Sequence, residues 1–500
     1  MMGRNVGEIL ARPCALWPRK PALVDQGRTW SEVQEHVERD AGALRELGLG
    51  LGERVAVISR NSARYFELYF SIPRAGGVIV PLNHRLAKPE LEYCMKDSGS
   101  VMLLADREHL DLASEISNSV VCIDDWDTST ASAPPAVEVS EDELFGIFYT
   151  GGTTGQPKGV MLSHRNICEG AINVVIAMGY REDDIYLHAG PMFHLADGCG
   201  SFATTWLGAS HVFIPGFSPE VLLDAVESHG VTSMTLVPTM YAMLLESPEF
   251  STDRLKSLRR VFYSASPMPP GLLERVLDAF DCEIGQGYGM TETSARLTAL
   301  SPEEHQRFSS PGATNLERAR LASAGRPIVG TEVRIVDEHG EICPPGEVGE
   351  IVARGPNVMM GYWGMDSTNV LRDGWMHTGD LAFTDDEGYV FIVDRSKDMI
   401  ISGGENVYSV EVESALYSHP DVLEAAVIGV ADPKWGERVH AVVVLRDGAA
   451  TTEDALMNHC RAQIAGYKIP RSFEFRDSLP KSGAGKTLKR ELRLNVMSEQ

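Results

Sequence analysis

The sequence predicts an α/β fold: a large N-terminal body of βαβ layers with a small β-unit, followed by a mobile α+β C-terminal domain. Three observations carry this expectation. Short apolar runs alternate with amphipathic stretches through residues 31–280, the pattern of parallel strands linked by crossover helices. From residue 325 the texture changes to short strands punctuated by turn signals, Asp337-Glu-His-Gly, Pro344-Pro-Gly and Asp385-Asp-Glu-Gly, which suits a small antiparallel unit. Beyond the charged segment Asp394-Arg-Ser-Lys-Asp398 the chain restarts an α+β alternation of its own, and a tail of that length can hold a core and swing as a unit. The boundary is placed at Lys397, giving units 1–396 and 397–500.

The elements follow in order. A helix is expected over 31–48, with Ser31 as N-cap, Glu32 and Glu35 in the first turn, Val33, Val37, Ala41 and Leu44 on one face, and Gly48 at its end. Arg54-Val-Ala-Val-Ile-Ser reads as a buried strand and 62–70 as the start of a helix; Val78-Ile-Val-Pro, Val101-Met-Leu-Leu and Val120-Val-Cys-Ile repeat the strand pattern. Residues 127–140, rich in Ser, Thr, Ala and Pro, read as a loop. Ser163 caps a helix running towards Met178; then come helix 222–228, strand 233–237, helix 238–245, strand 260–264 and helix 270–280. Residues 302–324 are polar and expected to be mobile. In the tail, helices are expected at 410–417 and 453–464 and strands at 425–430, 439–445 and 472–475.

Composition narrows the function. The net charge is -25, from 45 basic and 70 acidic residues, with no basic tract of five or more, so a nucleic-acid surface is not expected. The eight cysteines include no Cys-x-x-Cys pair, which argues against a zinc ribbon and a disulfide framework and suits a reducing cytoplasm. The N-terminus lacks an apolar signal core and no stretch approaches a membrane span, so no integral membrane contact is expected.

The chemistry-bearing segments are rich in glycine, hydroxyl and charge. Tyr149-Thr-Gly-Gly-Thr-Thr-Gly-Gln-Pro-Lys-Gly159 follows the apolar run 144–149 and combines four glycines with Thr150, Thr153, Thr154 and Lys158. Glycines such as Gly152 and Gly155 let backbone N–H groups approach anionic oxygens, while the threonines and the lysine add donors and charge. It is not a Walker A loop, because Pro157 and Gly159 flank the lysine; phosphates would sit on a strand-loop-strand hairpin. Gln286-Gly-Tyr-Gly-Met-Thr-Glu292 places Gly287 and Gly289 around Tyr288, which could stack on a purine. Thr291 could then bind phosphate, and Glu292 Mg2+ already on phosphate. Asp380, after Trp375-Met-His-Thr-Gly, suits the two hydroxyls of a ribose. Arg395 either shares that ribose or forms an interdomain salt bridge. Pro480-Lys-Ser-Gly-Ala-Gly-Lys-Thr487 presents Lys481 and Lys486 on a glycine-bearing loop.

Together, the cradle, Gly287-Tyr-Gly-Met-Thr-Glu292, Thr378-Gly-Asp380, Asp394 to Asn406 and Pro480 to Lys486 resemble, in order and spacing, the adenylate-forming superfamily, in its acyl-CoA synthetase branch. That resemblance implies a two-step reaction using ATP, Mg2+ and coenzyme A. A carboxylate attacks the α-phosphate and expels pyrophosphate, and a thiol then cleaves the acyl-adenylate. It makes Lys486 the cation of the first step, with Thr291 on phosphate and Glu292 on the metal. It implies a rotation about Lys397 that withdraws Lys486 and brings Gly403 and Gly404 to a pantetheine tunnel, where a Cβ would crowd. His194 matches a gate beside the acyl carboxylate. Ala265, Gly287 and the 194–200 loop should line the acyl pocket, with Arg296 either selecting a second carboxylate or lying on the surface. Gly151 stands where many relatives carry Ser. A fatty or aryl acid is the expected substrate. The alternatives are loading of a carrier-protein phosphopantetheine in trans, or an ATP-binding sensor without turnover, against which the intact Lys486 and Glu292 argue. A homodimer is compatible with all of these.

Overall fold

The computed structural model describes residues 5–135, 137–150, 156–403, 405–482 and 486–498. Two large sheets form the N-terminal body. The first has nine strands, in the order Arg326–Pro327, Thr298–Leu300, Glu283–Tyr288, Arg260–Ser264, Ser233–Leu236, Ile185–His188, Ser210–Phe213, Pro21–Leu23 and Arg28–Thr29. Glu283–Tyr288 through Ser210–Phe213 run parallel, and most of their residues are buried, as expected of strands covered on both faces. The second sheet has seven strands, in the order Gly361–Tyr362, Lys158–Ser163, Leu144–Thr150, Val78–Pro81, Arg54–Ile58, Met102–Ala105 and Val120–Cys122. Helices Ala63–Arg74, His164–Met178 and Leu195–Leu207 lie between the sheets. Their Phe66, Phe70, Ile167 and Phe202 share one core with Val55, Val57 and Ile79 of the second sheet and Tyr186, Phe213 and Phe262 of the first.

The antiparallel unit is present as Glu332–Val336, Gly349–Arg354, Trp375–Thr384 and Leu371–Arg372, with Val390–Arg395 also pairing with Trp375–Thr384. The smaller C-terminal domain is built on a long hairpin, Val422–Asp432 and Gly436–Leu445. Its alternation serves two cores, because successive side chains of a strand point to opposite faces. Ala425, Val427, Ala441 and Val443 pack under helices Ser409–Tyr417 and Glu453–Arg461. Ala426, Ile428, Val442 and Val444 pack under Leu479, Leu492 and Val496. Leu492 and Val496 belong to a final helix, Lys489–Ser498, that the sequence reading did not anticipate. Lys397 lies in the turn between Val390–Arg395 of the antiparallel unit and Ile400–Ser402 of the C-terminal sheet.

Three expectations are corrected. The helix expected over 31–48 is Trp30–Glu46, capped by Thr29 and not Ser31: Thr29 has extended backbone, its side chain accepts from Glu32 N–H, and Glu32 reaches back to Thr29 N at 2.8 Å, a reciprocal capping box. The polar stretch 302–324 is ordered as two helices, Pro302–Ser309 and Asn315–Arg320, each with a capping box, from Ser301 and Thr314. Phe308 anchors it in a small core with Leu300 and Tyr389, and buried Arg320 pairs with Asp385 at 2.7 Å. The 194–200 segment is the start of helix Leu195–Leu207, with His194 as N-cap. Its glycines permit close packing, since a Cβ at Gly200 would stand 2.8 Å from the Tyr186 ring.

Among the described residues no helix is long and apolar enough to cross a membrane. All eight cysteines are free.

Candidate active site

The cradle is the predicted hairpin: Leu144–Thr150 pairs antiparallel with Lys158–Ser163, and Thr150 stands opposite Lys158. Residues 151–155, and with them Gly152, Thr153, Thr154 and Gly155, lie outside the described residues, as does Gly404. The Lys158 ammonium sits 5.1 Å from the centre of the Tyr362 ring. Tyr362 in turn donates its hydroxyl to Glu292 Oε1 at 2.8 Å.

Glu292 occupies a single 3-10 turn, Thr291–Thr293, inside a tight reversal between Glu283–Tyr288 and Thr298–Leu300. Two residues after it, Ser294 and Ala295, take left-handed backbone angles, φ +51° and +93°, an arrangement that costs on the order of 1 kcal/mol or more per residue without support. Asn357 supplies it: its amide donates to Thr293 O at 3.0 Å and Arg296 O at 3.1 Å, and Ser294 donates to Asn357 O at 2.8 Å. The reversal is so tight that a Cβ at Gly289 would fall 2.3 Å from Ala295 O. At Gly287 a Cβ would fall 2.4 Å from Arg296 Nε. Arg296 is buried, not a surface charge.

Asp380 is held from two sides. Tyr288 donates to its Oδ2 at 2.7 Å, and Arg395 Nε pairs with its Oδ1 at 2.9 Å. Asp380 and Arg395 are cross-strand partners within the antiparallel unit, so this ion pair is internal to the N-terminal body, and of the two alternatives for Arg395 it is not the interdomain salt bridge. The neighbouring carboxylate raises the Arg395 guanidinium further above its ordinary range.

Lys486 comes from the C-terminal domain. Its loop is closed by a bridge between Lys481 and Thr487 and by Ser482 N–H donating to Lys486 O at 2.7 Å. Lys481 is spent on Glu424 at 2.7 Å within its own domain. The Lys486 ammonium, by contrast, lies within electrostatic reach of Arg395, Asp380, Glu292 and Lys397; burial, then the Arg395 charge, lowers its pKa. Burial, then the same ammonium, pushes His194 down to about 3, so its imidazole is neutral across physiological pH. His194 Nε2 has no hydrogen-bond partner among the described residues.

The domains are clasped around the turn that holds Lys397. Asp394, at the end of the N-terminal body, accepts from Ser409 N–H, and Lys489 binds Ser409 Oγ and Glu413. Arg446 reaches Glu246 at 2.7 Å across the interface. Burial, followed by Arg395, lowers the Lys397 pKa.

The structure thus brings Lys486, Glu292, Asp380, Arg395, Tyr288, Lys397 and His194 to one cleft. Ala265 stands at the carboxyl end of Arg260–Ser264 with φ +74°, at the edge where ligands bind in open α/β sheets. At φ +64° a Cβ at Gly403 would fall 2.8 Å from the Trp435 ring, so in this pose its need for glycine is internal to the C-terminal domain.

Sequence reasoning missed two contributors. Tyr362 sits in Met359-Met-Gly-Tyr-Trp363, which lacks the loop texture that flagged the other segments; Gly361, at φ +143°, was its one signal. His84 follows the carboxyl end of strand Val78–Pro81, packs edge-on to Phe193 at 5.2 Å, and is pushed down to about 4 by burial.

Comparisons with known proteins identify the family. The family model described as AMP-binding enzyme matches residues 10–363, and that of the AMP-binding enzyme C-terminal domain matches 411–486. Feruloyl-CoA synthase of Amycolatopsis sp is 40% identical over 504 residues, covering 99% of each chain. Fatty acid–[acyl-carrier-protein] ligase ScoC of Streptomyces coeruleorubidus is 37% identical, covering 95% of this chain and 93% of its own. The structure of o-succinylbenzoate CoA synthetase (MenE) from Bacillus subtilis in complex with the acyl-adenylate intermediate OSB-AMP matches with a TM-score of 0.86 and 33% identity, over 97% of this chain and 98% of that one. The same enzyme in complex with ATP and magnesium ion matches with a TM-score of 0.85. Matched in order over both of its parts, the chain belongs to the AMP-binding, adenylate-forming enzyme family.

Proposed function

We propose that the protein is an ATP-dependent carboxylic acid–CoA ligase that forms an acyl-adenylate and then an acyl-CoA thioester, with Lys486 as the cation of the first step. The observation that carries the division of labour is the placement of Lys486: an ammonium from the C-terminal domain stands beside Glu292, Asp380 and Arg395 of the N-terminal body, with Lys397 of the boundary turn also in reach.

In the first step a carboxylate oxygen bonds to the α-phosphorus and the bond to pyrophosphate breaks. No general base is required, since carboxylic acids are ionised at neutral pH. The obstacle is the meeting of two anions, and fixed positive charge lowers it. Lys486 supplies that charge between acid and phosphate, while Lys158, Thr150 and Thr291 hold phosphate oxygens together with the cradle residues Gly152, Thr153, Thr154 and Gly155. Asp380, oriented by Tyr288 and Arg395, accepts from the ribose hydroxyls. Glu292 fits a metal on phosphate: its carboxylate is buried, held by Tyr362, and forms no ion pair among the described residues. Mg2+ there would neutralise phosphate charge. His194, kept neutral, shapes the approach to the acyl carboxylate without adding a cation. In the second step the thiol sulfur bonds to the acyl carbon, the bond to AMP breaks and the thiol proton passes to water. Lys486 must first leave that face, by rotation of the domain that begins at Lys397, which would carry Gly403 and Gly404 towards the incoming thiol.

The test is Lys486→Ala. Acid-dependent exchange of pyrophosphate into ATP should fall by about 100-fold or more, while thioester formation from supplied acyl-adenylate falls far less. Equal loss in both half-reactions refutes this role. The 37% identity with a fatty acid–[acyl-carrier-protein] ligase keeps a carrier-protein thiol as a second reading. Thioester formation with free coenzyme A, compared with a holo-carrier, separates the two.

A further inference from the structure

Arg296 is 5% exposed, and its chemistry is unfinished. Its Nε has no hydrogen-bond partner among the described residues, and the guanidinium's one bond among them is a 3.3 Å contact from Nη1 to the carbonyl of its own neighbour, Ala295. Among the described residues no carboxylate forms an ion pair with it. The acids on that side are engaged elsewhere. Asp197, which acts on the adjoining Cys199 thiol, accepts from His188 at 2.8 Å and Tyr186 at 3.3 Å. Asp184, which acts on Tyr180, is paired with Arg259 at 2.8 Å and Arg260 at 3.3 Å. A guanidinium taken out of water without an opposite charge is costly, so the fold is built around a charge that it does not itself satisfy.

The position is specific. The Arg296 side chain lies across Gly287, where a Cβ would displace it. Gly287 is the cross-strand partner of Ser264, so both occupy one face of the sheet at the carboxyl ends of their strands. The Ser264 hydroxyl, 2% exposed, is another buried polar group on that face with no partner among the described residues. One step back along the same face stands Phe262, with the Tyr180 ring 5.5 Å away. Gly287 directly precedes Tyr288, which holds Asp380, so this face adjoins the candidate active site. It carries aromatic rings, a buried cation and a buried hydroxyl.

We propose that Arg296 is a specificity residue of the acyl pocket and that the acid it selects carries a second carboxylate, remote from the one that is activated, with Ser264 as an auxiliary donor. The inference rests on the ligase reading above and names the substrate class within it. In this chain the guanidinium from position 296 takes the volume left free at Gly287. A dicarboxylic acid completes the charge that folding leaves open; its monoester, similar in shape, leaves Arg296 buried and uncompensated.

Pyrophosphate exchange with the full-length enzyme tests this, using a panel of linear and aryl dicarboxylic acids, each paired with its monomethyl ester and monoamide. The best dicarboxylic acid should exceed its own ester in kcat/KM by more than about 100-fold, the ceiling for discrimination by an apolar pocket alone. In Arg296→Met the ratio should collapse to near unity, and Arg296→Lys should restore part of it. Esters or simple aryl acids turned over as well as the dicarboxylic acids by the wild-type enzyme overturn the proposal but leave the ligase intact. Exchange with no acid at all overturns both. Should Arg296→Met fail to fold, judged by its thermal transition, the wild-type ratio decides alone.

Discussion

At the scale of single residues, Tyr362 shows how one hydroxyl sets the chemistry of a carboxylate. It holds Glu292 through a charge-assisted bond while its ring faces the Lys158 ammonium. Hydrogen bonds to charged groups contribute about 1.5–3 kcal/mol, so Tyr362→Phe should lower kcat/KM for adenylation by about tenfold or more and raise the Mg2+ concentration needed for half-maximal rate. An unchanged Mg2+ dependence would show that Tyr362 is merely packing. That Glu292, Asp380 and Lys486 are candidate site residues was legible in the sequence because each lies in a short segment of glycine, hydroxyl and charge. Tyr362 and the burial of Arg296 were not. An aromatic residue beside a glycine reads as ordinary core, and exposure of an arginine depends on strand pleat and on Asn357, far away in sequence.

At the scale of elements, capping chemistry explains both successes and failures. Ser163 before the helix His164–Met178 was legible because its side chain accepts from Asn166 N–H locally. Helices Pro302–Ser309 and Asn315–Arg320 were read as mobile because their polar faces hid Ser301 and Thr314, and because their anchor, Phe308, meets Tyr389 only in three dimensions. The final helix lacked a recognised signal, and its apolar Leu492 and Val496 make sense only against the long hairpin. Two helices also carry a pH prediction. His164 accepts from Val6 N–H at 3.2 Å. His305 bridges Tyr263 at 2.9 Å and Ser301 O at 3.0 Å. Burial pushes both imidazoles down to about 4. A folded-state pKa below the unfolded value of about 6.5 means that the stabilisation is complete above pH 6.5 and is lost as pH falls towards 4. Each histidine should therefore cost on the order of 2–3 kcal/mol over that window. Thermal midpoints measured from pH 7 to pH 4 should fall steeply; a flat profile would contradict the assignment of neutral imidazoles.

At the scale of the whole molecule, the fold class, the antiparallel unit and the separate C-terminal core were legible because hydrophobic periodicity changes where the architecture changes. The order of strands in the two large sheets was not, since it depends on long-range pairing such as that of Pro21–Leu23 with Ser210–Phe213. The reading of Lys397 as a hinge belongs at this scale. Lys397→Pro fixes φ in the turn that must change and removes its N–H. It should slow thioester formation selectively, by about tenfold or more, with pyrophosphate exchange less affected. Equal half-reaction rates before and after the substitution would place the pivot elsewhere.

The clasp of Asp394, Ser409 and Lys489 gives that motion a direction. Here the C-terminal domain is docked with the Lys486 ammonium near Asp380 and Glu292, the arrangement that the proposed adenylation step requires. If the proposed rotation begins at Lys397, the bond from the Ser409 amide to the Asp394 carboxylate must open before the thiol can approach, and that release would act as a timing device between the two chemical acts.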